Sequence, residues 1–184
     1  MILNKLKSLK NNEGNGLILG IVMILILLMT FTVVSEYLRN NIILNGVRDG
    51  LESVATNIAT ENYDKIYPNF RQGYSGAYQL SNIDKWQEKI DEGNIEIELN
   101  KLLGLKKEGN IYVKRFDNDN RIEYKLSNLK INIKNPTLAP QVKNDEKFTI
   151  EITADIELER MFNIFEVDKL KTKLGAKVMY IPKY

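Results

Sequence analysis

Residues 17–34 read LILGIVMILILLMTFTVV, eighteen residues without a charge. At about 1.5 Å per residue this run makes a helix of about 27 Å, close to the hydrocarbon thickness of a bilayer. A helix buried in a soluble core rarely needs so long an uncharged run, whereas one in lipid must be apolar on every side. The run therefore predicts a membrane-spanning helix.

The flanks set its direction. Residues 1–16 carry Lys5, Lys7 and Lys10 against one acid, Glu13, while Glu36 and Arg39 open a mixed-sign sequence after the run. Lysines close to a span stay cytoplasmic, which predicts a cytoplasmic N-terminus and an extracytoplasmic remainder. Three fates are open for the N-terminal region. A signal peptidase cuts near Val33 and Ser35, an uncleaved signal anchor is kept, or a short leader is removed within Glu13-Gly14-Asn15-Gly16. The apolar run exceeds an ordinary signal-peptide core of about 7–15 residues, which weighs against the first.

Composition excludes more than it assigns. The chain has 184 residues, and about 150 beyond the span suffice for one small domain and a stalk. A net charge of +2 without a basic block gives no expectation of nucleic acid as a partner. Cysteine and histidine are both absent. This removes disulfides, thiolate nucleophiles, the commonest general base and the commonest metal ligands together. The expectation is a protein that is not an enzyme and that has no cofactor or metal.

After the span no proline appears before residue 62, and Ile43, Val47, Leu51, Val54 and Ile58 recur at helical spacing. One helix over about 17–62 follows, apolar throughout its first half and amphipathic in its second, with Pro68 and Gly73 ending it. Arg48 and Glu52 form an i,i+4 pair on its polar side. Two G-x-x-x-G patterns, Gly16 to Gly20 and Gly46 to Gly50, offer flat faces on which a second helix can approach closely. Chance occurrence is the alternative for both.

Beyond the helix, Tyr63, Tyr67, Phe70, Tyr74 and Tyr78 crowd a Pro- and Gly-bearing stretch that reads as an ordered loop. Packing onto the domain is preferred over a contact surface for these rings. Ser81 and Gly93 bracket a predicted short helix over 83–90, whose Trp86 and Ile90 would dock on the sheet. Residues 96–103 mix both periods and lean towards helix. From Asn110 the period is two, giving a hairpin of 111–116 and 122–133 around Asp117 to Asn120, with a phase slip near Ser127 that predicts a bulge. Residues 135–140 form a loop. The cleanest alternation lies in 148–158, and 174–181 is the expected last strand. Consecutive strands without intervening crossovers predict an antiparallel meander, with the long helix covering one face.

Few residues suggest chemistry. Asp117, Asp119 and Asn120 resemble the start of a calcium loop, but Ile122 and Asn128 stand where such a loop needs glycine and a carboxylate. A turn is the better reading. Glu151, Asp155, Glu157 and Glu159 decorate the outer face of the best strand, where charge also deters edge association. No phosphate loop, nucleophile elbow or metal motif is present, and Asn135-Pro136-Thr137 fails as a glycosylation site through its proline.

A charged leader ending in glycine, an uninterrupted apolar segment continuing as an amphipathic helix, and a small sheet domain together resemble the type IV pilin superfamily. Within it the chain is most similar to TadE-type minor pilins and pseudopilins of tight-adherence pili, which residues 152–184 also resemble in their strand, apolar Met161 to Phe165 stretch and final strand. The family places a glutamate at the fifth position after cleavage, whereas Ile21 or Leu19 stands there in this sequence.

The resemblance implies an α+β, pilin-like fold, with a cytoplasmic leader over 1–16, a transmembrane helix over 17–34, its amphipathic continuation over 35–62 and an extracytoplasmic domain over 63–184. It implies Gly14 and Gly16 as processing positions, and Gly20, Ile43, Val47, Leu51, Val54 and Ile58 as helix-assembly residues. It also implies the bacterial membrane and other pilin-like subunits or assembly-platform proteins as partners, in a homo- or hetero-oligomer. The competing expectation is a signal-anchored extracytoplasmic binding or sensory module without a filament role.

Overall fold

The structure, a computed structural model, describes residues 13–64, 76–81, 85–116, 120–137, 147–161 and 168–179. One helix, α1 (Glu13–Asp64), runs for 52 residues, about 78 Å at the helical rise. No proline interrupts it, and the hydroxyls in its apolar half are satisfied locally. Thr30 and Thr32 each donate to the carbonyl four residues back, Ile26 and Leu28, at 2.8 Å. In a segment surrounded by lipid such internal satisfaction removes the cost of a bare hydroxyl.

The rest is a five-stranded antiparallel sheet with two small additions. The sheet contains β3 (Lys106–Glu108), β4 (Ile111–Arg115), β5 (Ile122–Lys134), β6 (Thr149–Leu158) and β7 (Leu170–Met179) in sequential order. It is the predicted meander. The additions are a two-stranded ribbon of β1 (Tyr78–Leu80) and β2 (Trp86–Glu88), and the helix α2 (Ile95–Leu103). The fold is therefore α+β.

The second half of α1 lies on the sheet. Val47, Leu51, Val54, Ala55 and Ile58 are buried in one core with Phe148 and with Ile150, Ile152, Ile156 and Leu158 of β6. Tyr63 closes this core, its ring meeting Phe148 edge-on at a centroid distance of 5.6 Å. Tyr63 and Tyr78 thus belong to α1 and β1, while Tyr67, Phe70 and Tyr74 lie outside the described residues. Burial also pushes the Tyr124 phenol well above its ordinary value, with the Glu123 carboxylate adding to the shift.

The phase slip in β5 is a bulge. Ser127 pairs Asp155 and Lys130 pairs Thr153, so one extra residue is accommodated, and Asn128 adopts φ 51°. The buried parity changes there from Tyr124 and Leu126 to Ile131 and Ile133, keeping the apolar side chains on one face.

α2 confirms the helical option for residues 96–103. Asn94 accepts from the Ile97 N–H at 3.2 Å, and Gly104 closes the other end at φ 64°. This is an N-cap and a left-handed C-cap in sequence.

Three expectations are corrected. Residues 86–88 are not helical: they pair with 78–80, Leu80 opposite Trp86 and Tyr78 opposite Glu88. Asn135 holds the ribbon from outside by donating to Glu88 at 2.7 Å, and the Lys89 backbone N–H extends the pairing by donating to the Ala77 carbonyl at 2.7 Å. Tertiary pairing overrides a helical period carried by only two apolar residues, and Ile90 is exposed rather than docked. Residues 82–84 of that stretch lie outside the described residues. Nothing in Lys106-Lys107-Glu108, which has no apolar alternation, predicts strand β3. It pairs β4 around the two-residue turn Gly109-Asn110, Glu108 opposite Ile111, with Gly109 at φ 63°. The last strand also begins earlier than expected, at Leu170.

Candidate membrane and assembly interface

α1 changes character along its length, and the change defines the surface that can act. Every described side chain from Gly16 to Phe31 is exposed. Among the described residues this is the one helix long and apolar enough to cross a membrane, which fits a single-pass membrane anchor. From Thr32 onward one side of the helix begins to meet the domain.

The opposite side remains apolar for two further turns. Val34, Leu38 and Ile42, spaced by four, are 48%, 54% and 72% exposed, with Tyr37 beside them. Beyond Ile42 the same face turns polar, through Asn45, Asp49, Glu52 and Thr56. Ile42 stands eight residues past the apolar run, about 12 Å further along the axis.

On the inner side, at that height, a charged clasp ties helix to sheet. Arg39 Nη1 donates to the Glu159 carbonyl at 2.9 Å and to Glu36 Oε1 at 3.3 Å. Its Nη2 stands 3.9 Å from Glu123 Oε1, and its guanidinium lies 5.6 Å above the Phe116 ring. Glu36 Oε1 also accepts from the Met161 N–H at 3.4 Å. The Glu36 and Arg39 side chains keep only 19% and 15% of their exposure, so this ion pair is largely out of water.

Between the clasp and the end of the span lies a cavity of about 260 Å³. Met29, Val33, Leu158 and Leu170 give it apolar walls, and Glu36, Asn40 and Arg160 line it with polar groups.

The outer face of the sheet carries paired charges. Glu157 stands opposite Lys171 on β7, and their side chains meet at 3.0 Å. Lys169 bridges Glu159 at 2.6 Å and Glu157 at 3.3 Å. The Lys171 hydrogen bond, helped by Lys169 and opposed by partial burial, holds the Glu157 carboxyl below its usual range. Hydrogen bonding to Glu159 likewise raises the Lys169 ammonium. Asp155 accepts from Asn128 at 2.8 Å, which uses the bulge residue to hold a carboxylate. These acids make a salt-bridged surface, and among the described residues no three acidic, His or Cys side chains come together as metal ligands.

The sequence-predicted residues separate into two groups. Gly14 and Gly16 fall in the first turn of α1, and Gly16 and Gly20 have open space around them. Val47, Leu51, Val54 and Ile58 are 0–2% exposed within the chain's own core, with Ile43 packed at its edge. In this fold the stripe assigned to helix assembly is covered by the same chain's sheet. The two G-x-x-x-G patterns also differ. Gly46 is open, whereas a methyl group at Gly50 would lie 2.5 Å from Leu103 Cδ2, so Gly50 serves the approach of α2 to α1. The outer stripe and the clasp were not singled out from the sequence, although both leave a signal there: a four-residue apolar spacing at 34, 38 and 42, and an i,i+3 charge pair. Asp117 and Asp119, the residues of the calcium-like turn, lie outside the described residues.

No protein-family model matches this chain, and no curated protein or solved structure matches it.

Proposed function

We propose that the chain is a structural, pilin-like subunit, a minor pilin or pseudopilin of a bacterial surface appendage or secretion machine. It assembles through the exposed first half of its long helix. The N-terminus faces the cytoplasm, following the lysines at 5, 7 and 10, and the sheet domain lies outside. The reading gives the chain no catalytic role.

The observation that carries this reading is the outer stripe of Val34, Leu38 and Ile42. Arg39, Glu123, Glu159 and Arg160 stand at the same height on the inner side, where hydrocarbon is excluded by the cost of their charges. Beyond Val34, where the span ends, the stripe therefore projects above the lipid through Leu38 and Ile42, where an apolar helix face calls for protein. A simple anchor has no use for it. A subunit that packs shaft against shaft does, and the same contact can continue down to Gly16 and Gly20, where a neighbour can approach closely.

Because the natural chain has no cysteine, a single Ile42→Cys in the full-length protein tests the reading in membranes. Oxidative cross-linking should give linked oligomers from Ile42→Cys and none from Thr56→Cys, its polar counterpart on the same face. Equal cross-linking at both positions, or none at either, would favour the signal-anchored binding module instead. Leu38→Asp should abolish the oligomers while leaving the protein in the membrane fraction.

A further inference from the structure

The cavity at the junction of α1 with β6 and β7 has a chemistry of its own. Its lower wall comes from the last turns of the apolar run, Met29 and Val33, together with Leu158 and Leu170. Its upper wall carries Glu36 and Asn40, one and two turns further along the helix. Just behind that wall two acceptors, Glu36 Oε2 and Asn40 Oδ1, are buried without a hydrogen-bond partner, as is the Arg39 Nη2 donor, which is turned towards Glu123 at 3.9 Å. Glu36 Oε1 is already engaged by Arg39 and Met161, so the second carboxylate oxygen is the open one.

A buried acceptor without a donor is costly, and two beside one cavity ask for an occupant that brings N–H groups. The terminal torsions of Glu and Asn are soft, so a small rotation turns either oxygen to a guest. The guest must also be apolar at one end, to cover Met29 and Val33. Apolar below and hydrogen-bond donating above is the polarity of a phospholipid with a primary ammonium headgroup, standing in its leaflet beside the span. Arg160, whose guanidinium is held by the Asp168 carbonyl at 2.8 Å, lines the same cavity and suits the phosphate of such a headgroup.

We propose that this cavity seats one phosphatidylethanolamine molecule, its ammonium on Glu36 and Asn40 and its acyl chain along Met29 and Val33. The proposal rests on the reading of α1 as a membrane span. Bound there, the lipid joins helix and sheet where they diverge and sets the depth at which the domain rides.

The test uses the full-length chain in detergent, with retained lipid counted by native mass spectrometry after addition of phosphatidylethanolamine, phosphatidylcholine or phosphatidylglycerol of matched acyl chains. Phosphatidylcholine keeps the positive charge but has no N–H donor. Retention of phosphatidylethanolamine should exceed that of phosphatidylcholine about tenfold, the effect of one charge-assisted hydrogen bond. Asn40→Leu and Glu36→Gln should shrink that preference. Val33→Trp, at an exposed position that leaves the core untouched, should abolish retention by filling the cavity. Equal retention of the ethanolamine and choline lipids, preference for phosphatidylglycerol, or full retention by Val33→Trp would each overturn the proposal. So would a lipid-free dimer that Val33→Trp dissolves, which would make a neighbouring chain's amine the guest. A protein that fractionates away from membranes would instead remove the reading beneath it.

Discussion

The side chain of Asn62 pairs with the backbone of Asp91 as one strand pairs with another. Asn62 Nδ2 donates to the Asp91 carbonyl at 2.7 Å, and Asn62 Oδ1 accepts from the Asp91 N–H at 2.9 Å. The same amide donates to the Ile58 carbonyl at 2.8 Å, and Asn62 is fully buried. The last turn of α1 is thereby fastened to the segment that leads into α2. Asn62→Leu keeps the branching and heavy-atom count of the side chain but removes its bonds to both Asp91 backbone groups, at a cost of about 2–4 kcal/mol. Chemical unfolding of the purified protein reads this directly, and a loss below about 1 kcal/mol would show that water substitutes for the amide.

Gly46 and Gly50 should respond oppositely to added side chains. Gly50→Val drives a branched side chain into Leu103 and should destabilise the protein by about 1–3 kcal/mol through overpacking. Gly46→Ala meets open space in a helix interior and should stabilise it by about 0.5–1 kcal/mol. Thermal unfolding of the two variants side by side checks the sign of each.

Arg39 and Glu36 form a pair that is worth more intact than either half alone. Arg39→Met leaves the Glu36 carboxylate largely buried beside an apolar side chain and should cost about 2–3 kcal/mol. The double variant Arg39→Met/Glu36→Gln should recover part of that loss, and a double-mutant cycle measures the coupling.

Acid should weaken the outer sheet face through Glu157. Lys171 and Lys169 hold its folded-state value below the ordinary one, so its contribution is complete above the unfolded value of about 4.3 and is lost as pH falls through the folded value. Glu157→Gln should therefore be less stable than the natural protein at neutral pH and approach it in acid. Unfolding curves that stay parallel across that range would remove Glu157 from the acid response.

Intact mass of the membrane-extracted protein should place the mature N-terminus at Asn15 or Leu17, after Gly14 or Gly16. A start at Met1 would mean that the leader is retained, and a start at Glu36 would mean that the span is discarded.

Legibility followed the ratio of local to tertiary control. Residues 148–158 alternate without exception, because the strand lies between a helix-covered core and a charged outer face, and both faces write themselves into the order of residues. The bulge at Ser127 is readable for the same reason: a change of parity must appear wherever one face stays buried. Residues 83–90 misled because Trp86 and Ile90 fit a helix while their neighbours were claimed by pairing to 78–80, a contact no local pattern announces. β3 was invisible, since an exposed edge strand of Lys106-Lys107-Glu108 needs no apolar residue at all. The spacing from Val47 to Ile58 predicts one face of a helix, but periodicity cannot say whether that face meets its own sheet or another chain. Buried here at 0–2% exposure, it is the sheet's own partner, and the outward signal was the weaker one at 34, 38 and 42.

The continuity of α1 has a mechanical meaning. No hinge, proline or loop separates its exposed half from the half embedded in the sheet, so the helix is a lever whose fulcrum is the Arg39 clasp. A pull or twist on the helix near Leu17 is passed to the sheet through this one continuous element, without a joint to absorb it. The orientation of the sheet domain is thereby tied to whatever grips the exposed half of the helix.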